Sequence, residues 1–339
     1  MKNSLRFLIV IFGTALVLAG CATAKAGTAP PAASPAPATL AASETAAPVS
    51  PSATPVPPTS TAVPSATPVP STATPSGPTA TATRDTRPDP ARWSDWPVIP
   101  TLSAAAKAIF QKGLDLGNDP HIYSTIGDCQ SEPDVFLGIY ATDRYFLGKD
   151  YAYLQATVDF FKNSFAVQSL AVRDGLNPAS ALDPLWAYKN QCNANEGPVA
   201  CDLRVHKPSI VFINLGTNWL PGASITSYEK YLRQIVDKVI ASGALPVLAT
   251  KADDVEGGNL INRATAQVAH DYDIPLWNMW RTVQDLANRG LDSSREDIYH
   301  RTNVYLTVEA WDRRSFSALM VLDHLRTELR PLYDPSTKQ

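Results

Sequence analysis

The sequence has no excess of basic residues: 29 lysines and arginines stand against 32 aspartates and glutamates, a formal net charge of −3. That excludes a basic face for nucleic acid and a polybasic stretch that would act as a second membrane signal. Histidine is scarce, with five in all, and His121, His206, His270 and His324 lie at no metal-ligand spacing, so neither a metal nor a cofactor is expected. Over residues 27–90 charge is nearly missing, Glu44 being the only charged side chain before Arg84. Large apolar residues are nearly missing there too, Leu40 being the exception: the stretch is almost wholly Ala, Pro, Ser, Thr and Val, which cannot bury a core.

What is present begins with Lys2 and Arg6, followed by an apolar run over 7–18 that is too short to span a bilayer comfortably, then Ala19-Gly20-Cys21. These are the regions of a secretory signal. The segment Leu18-Ala19-Gly20-Cys21 resembles the lipobox of bacterial lipoproteins, which implies a leader over 1–20 and a lipidated Cys21 that ties the chain to the membrane of the cell envelope, with the domain outside the cytoplasm. The alternative is an ordinary signal peptide or an uncleaved anchor. The linker expected over 21–91 is a disordered, low-complexity spacer in which Pro-Ser-Ala-Thr-Pro-Val-Pro occurs twice, at 51–57 and 64–70.

Globular composition starts at Trp93 and Trp96, so one folded domain is expected over 92–335. Apolar spacing predicts helices over 103–116, 151–161, 224–241, 258–272, 280–288 and 308–332. Strands are expected at 122–126, 209–215, 244–249 and 274–278, with 165–172 a strand or buried run. Strands alternating with helices at this spacing predict a three-layer α/β/α sandwich with a mainly parallel sheet, whose ligands belong at the carboxyl ends of the strands.

If Cys21 is the anchor, three cysteines remain, an odd number for an oxidising compartment. Cys192 and Cys201 bracket a short loop containing Asn, Gly and Pro, and a disulfide there leaves Cys129 as a thiol; pairing of Cys129 with either of the other two stays open, because spacing does not give connectivity.

Cys129 follows the first strand in Gly127-Asp128-Cys129, Gly175 follows the second apolar run, Gly216-Thr217-Asn218 ends the third, and Asp297-Ile298-Tyr299-His300 comes late. In this order and placement the chain resembles the SGNH, or GDSL-like, hydrolases, whose blocks are Gly-Asp-Ser, a glycine, Gly-x-Asn and Asp-x-x-His. The resemblance covers about residues 122–325. It implies Cys129 as nucleophile, His300 as base, Asp297 as its orienter, and the Cys129 N–H, the Gly175 N–H and the Asn218 side chain as oxyanion donors. The departure is cysteine in place of serine. A thiolate forms more readily and attacks better, but it also leaves better, so thioesters or activated acyl groups should turn over faster than ordinary esters.

The expected function is therefore an extracytoplasmic, lipid-anchored acyl-ester or thioester hydrolase acting on a small acyl ester or an O-acylated glycan. The alternative is a catalytically silent domain of the same fold that binds a glycan or small ligand, with Cys129 merely a small buried residue. Asp323-His324, inside the last helix, is a rival acid-histidine pair. Trp186, Tyr188, Trp219 and Trp311 lie near element ends, where they stack on sugar rings or pack the core.

Overall fold

A computed structural model describes Asp85, residues 87–334 and Ser336. The expected leader, Cys21 and nearly all of the linker lie outside the described residues. In chain order the main elements are α1 (Ala104–Asp115), β1 (Asp119–Gly127), α2 (Gln155–Phe160), α3 (Pro198–His206), β2 (Pro208–Asn214), α4 (Ile225–Ala241), β3 (Leu245–Ala249), α5 (Leu260–Tyr272), β4 (Leu276–Trp277), α6 (Met279–Thr282) and α7 (Val308–Tyr333).

The strands form one parallel sheet in the order β1-β2-β3-β4, with Tyr123 opposite Ile210 and Gly127 opposite Asn214. Both faces are covered. Ile210 and Phe212 of β2 face a core built with α1, α2 and α7, whereas Val211 and Ile213 face one built with α3, α4 and α5. The near-continuous apolar run of β2 is what alternation demands of a strand buried on two sides. The α/β/α sandwich expected from the sequence is thus the architecture observed.

Helix α4 shows how local sequence sets an element. Ser224 accepts a hydrogen bond from the Ser227 N–H at the helix start. Tyr228, Leu232, Ile235, Val236 and Val239 then fall on one face and are buried. Each such side chain contributes roughly 1.5 to 3 kcal/mol.

Three segments differ in detail from the sequence expectation. The run 165–172, expected as a strand or buried run, is buried at Phe165 and over 169–172, exposed over 166–168, and makes only one ladder contact, between Val172 and Gly127. Its donors are taken by side chains instead: Asp202 Oδ1 accepts from the Leu170 N–H at 2.8 Å and from Ser169 Oγ at 2.8 Å, and Ser169 Oγ accepts from the Ala171 N–H at 3.0 Å. The helix expected over 280–288 stops at Thr282, and Asn288 and Arg289 adopt left-handed backbone angles. Cys201 does not close a plain loop: it lies in α3, which the periodicity did not predict, and pairs with Cys192 across a Cα separation of 5.3 Å. That pairing leaves Cys129 outside any disulfide, buried at 7% exposure.

Candidate active site

The site lies where the chain changes direction across the sheet. After β1 the chain crosses to one flank, where Gly127 N–H donates to Ala171 O at 3.0 Å and Arg173 N–H donates to Gly127 O at 3.2 Å. It then returns to the other flank as β2. The crevice outside such a switch point is where open α/β sheets bind ligands. Here it receives the ends of Val172, β1 and β2, and with them Gly175, Cys129 and Asn218.

Cys129 opens a tight 3-10 turn, Cys129–Ser131. Asp128 Oδ1 accepts from the Gln130 N–H at 3.0 Å, and Ser131 N–H donates to Asp128 O at 2.8 Å, so the turn is tied by the residue before the cysteine. Only glycine fits at the preceding position: a Cβ on Gly127 would lie 2.2 Å from Ser131 Oγ. Asn218 Nδ2 donates to Asp128 Oδ2 at 3.0 Å, which links the ends of β1 and β2 and orients the amide. An amide nitrogen carries two hydrogens, so this bond leaves one for another acceptor. Gly175 sits in the turn after Val172 with φ +72°, where Leu176 N–H donates to Arg173 O at 3.1 Å. The Trp186 ring lies 3.8 Å from where its Cβ would be.

The late loop carries Asp297 and His300. Asp297 accepts four hydrogen bonds: from the N–H groups of Tyr299 (3.0 Å) and His300 (2.9 Å), from His300 Nδ1 (2.6 Å) and from the Tyr305 hydroxyl (3.0 Å). Burial works to raise the Asp297 pKa, but these bonds outweigh it and hold the carboxyl below its ordinary value. An ionised carboxylate only accepts, so Nδ1 carries a proton, and in the neutral imidazole the lone pair is then on Nε2. Nε2 is buried and meets no hydrogen-bond partner. Between the two buried ends of the motif, Ile298 and Tyr299 project into solvent at 78% and 80% exposure.

Electrostatics connect this loop to the turn after β1. The Tyr305 hydroxyl is held well above its ordinary pKa, first by burial, then by Asp297, with a smaller electrostatic contribution from Cys129. From the opposite side α7 sends in Arg314, 4% exposed, whose guanidinium bonds the Gln130 carbonyl and Ser131 Oγ and lies 4.3 Å from the centre of the Phe136 ring. Burial lowers the Arg314 pKa to about 10 against the opposing pull of Asp128 and Cys129. Burial likewise pushes the Asp128 carboxyl up to about 6, with Arg314 acting against it.

Behind the turn lies a cavity of about 30 Å³, room for about one water molecule, lined by Asp128, Asn214, Thr217, Lys251, Asp253 and Arg314 among others. Lys251 is buried there and donates to Asp253 Oδ1 at 2.5 Å and to Glu256 Oε2 at 2.7 Å.

Cys129, Asn218 and Gly175 therefore share one sheet edge, and Asp297 and His300 form one hydrogen-bonded pair. The rival Asp323 is engaged elsewhere, with Thr157 of α2 at 2.5 Å and Arg326 at 2.9 Å. Tyr188 lies under the Arg173 guanidinium and Trp219 packs edge-on against Tyr228. Sequence reasoning missed Arg314 and Tyr305. Arg314 left a trace: it interrupts the apolar stripe of α7 among Ala310, Ala318, Val321 and Leu325. Tyr305 left none.

No family model matches the chain, and no curated protein matches it. The fold resembles solved esterases and lipases of the G-D-S-L kind. The psychrotrophic esterase EstA from Pseudoalteromonas sp. is 18% identical, over 60% of this chain and 98% of its own, with a TM-score of 0.38. A GDSL-like lipase from Bacteroides thetaiotaomicron is 12% identical over 65% and 98% of the two chains, with a TM-score of 0.37. A catalytic mutant of an acetylxylan esterase from Geobacillus stearothermophilus is 14% identical over 59% and 93%, with a TM-score of 0.36. Scores this low describe an outline, and the chemistry of the site rests on its own geometry.

The raised Asp128 pKa gives a test of the turn. The folded chain takes up the Asp128 proton near pH 6, whereas the unfolded chain waits until about 4. Stability contributed by this group therefore rises as pH falls from 7 to 4. Urea unfolding should show wild type gaining about 2 to 3 kcal/mol relative to Asp128→Asn over that interval, at 1.36 kcal/mol per unit; a difference independent of pH would contradict it.

Proposed function

We propose that the protein is an acyl-ester or thioester hydrolase that uses Cys129 as nucleophile, His300 as base and Asp297 to hold the imidazole. The observation that carries this reading is His300 Nε2: a buried, unpartnered ring nitrogen whose imidazole is fixed through Nδ1 by the Asp297 carboxylate.

In the first half-reaction Nε2 takes the thiol proton as sulfur bonds to the acyl carbon, and the carbonyl electron pair moves onto oxygen. The Cys129 and Gly175 backbone N–H groups and the second amide hydrogen of Asn218 receive that oxyanion; losing one such donor typically costs about 10²- to 10³-fold in rate. Collapse expels the alkoxide or thiolate, which takes the proton from His300, and leaves a thioester on Cys129. Water then attacks the thioester with His300 again as base, releasing the acid and the thiol. Sulfur leaves more easily than an alkoxide from the first tetrahedral intermediate, so thioesters and activated esters are favoured over simple alkyl esters. An acetyl or other short acyl group on a surface glycan, or a small acyl ester, is the proposed substrate. The acetylxylan esterase among the similar structures acts on such a compound.

The proposal includes location: the domain is held outside the cytoplasm by a lipid on Cys21. Fatty-acid labelling in cells should mark the wild-type protein and not Cys21→Ala, and label retained in that variant would remove the anchor.

Hydrolysis of p-nitrophenyl acetate and of an acetyl thioester, compared in wild type, Cys129→Ser and Cys129→Ala, tests the chemistry. Wild type should cleave both, the alanine variant should lose at least about 10³-fold in kcat, and the serine variant should shift preference toward the oxyester. Equal inactivity of all three would favour a ligand-binding domain without catalysis.

A further inference from the structure

We propose that Arg314 is a positioning residue for the nucleophile: its guanidinium holds the Cys129 turn and supplies the positive charge beside which the Cys129 thiolate forms. The proposal rests on the reading of Cys129 as nucleophile.

Three observations converge. Arg314 is the one charged side chain on the buried face of α7, beside Ala310, Ala318 and Val321 and the buried hydroxyls of Ser315 and Ser317, a place where a charge is costly unless neighbouring groups compensate it. Its hydrogen-bond partners are the Gln130 carbonyl and the Ser131 hydroxyl, rather than a carboxylate, and both belong to the turn that Cys129 opens. The Phe136 ring, 4.3 Å away, covers the guanidinium and keeps it dry, which strengthens its field at short range. The guanidinium thus tethers the turn and acts electrostatically on the two groups at its head, Asp128 and Cys129.

Other charged groups act on the same thiol. Asp128 on its own turn opposes the thiolate when ionised, and the amide of Asn218 and the charge of Arg314 temper it. Asp174, after Val172, and Asp253, after β3, act on Asp128. From the late loop come Tyr305 and the pair of Asp297 and His300, whose protonated form favours the thiolate once the proton has moved. Lys251, in the cavity behind the turn, is a second cation but is held by Asp253 and Glu256, whereas Arg314 is the cation hydrogen-bonded to the turn itself.

The test is the pH dependence of iodoacetamide alkylation at Cys129, located by peptide mass spectrometry, in the full-length wild type, Arg314→Lys and Arg314→Gln. Glutamine keeps a donor for the Gln130 carbonyl and removes the charge. Wild type should react with a midpoint well below the ordinary cysteine value of about 8.5, and the lysine variant should stay close to it. The glutamine variant should move up by about one unit or more, with alkylation at pH 6 to 7 roughly tenfold slower. A wild-type midpoint at or above about 8.5 overturns the proposal without any variant. A low wild-type midpoint that Arg314→Gln leaves unmoved overturns the role of Arg314 alone and keeps Cys129 as nucleophile. A wild-type Cys129 that resists alkylation at every pH removes both.

Discussion

The carboxylate of Asp297 is the point on which the site turns. Two backbone N–H groups, an imidazole and a phenol converge on its two oxygens. So many donors keep it ionised despite burial, and an ionised Asp297 decides which nitrogen of His300 is basic. The same contacts fold the late loop, because the donors come from within residues 297–305 and the loop closes by an antiparallel bridge between Asp297 and Thr302. Loop structure and proton chemistry thus depend on one group. Ile298 and Tyr299 face solvent because the residues on either side of them are spent inward.

The sheet supplies the other half. A parallel sheet whose chain leaves β1 for one flank and returns on the other places the ends of β1 and β2 and the bridge residue Val172 around a single crevice. Gly127 permits the turn to fold against the end of β1, Asp128 ties it, and α7 braces it through Arg314. The helix that covers one face of the sheet therefore reaches the Cys129 turn as well. Burial of Asp128 and Arg314 side by side moves both away from their usual titration, Asp128 to about 6 and Arg314 to about 10.

Most of this arrangement was legible in the residues. The apolar run of β2 and the periodicity of α4 survive into the structure because each is set by burial on a known face. The Cys192–Cys201 bridge was expected among alternatives, although α3 around Cys201 was not, its nine residues carrying too weak an apolar stripe to announce a helix. The edge segment before Val172 reads as a strand by composition, yet the buried carboxylate of Asp202, distant in sequence, captures its donors. No local pattern encodes such a capture. For the same reason Asp297 and His300 were visible three positions apart, whereas Tyr305 and Arg314 act through tertiary contacts.

The central claim is that acyl groups pass through the sulfur of Cys129. Protein mixed with an acetyl thioester, quenched in acid during turnover and digested at low pH, reports this directly by peptide mass spectrometry. The account predicts an acetyl group on the peptide containing Cys129, at that residue, appearing and decaying with turnover. Turnover without an adduct there, or an adduct on Ser131 instead, would contradict it.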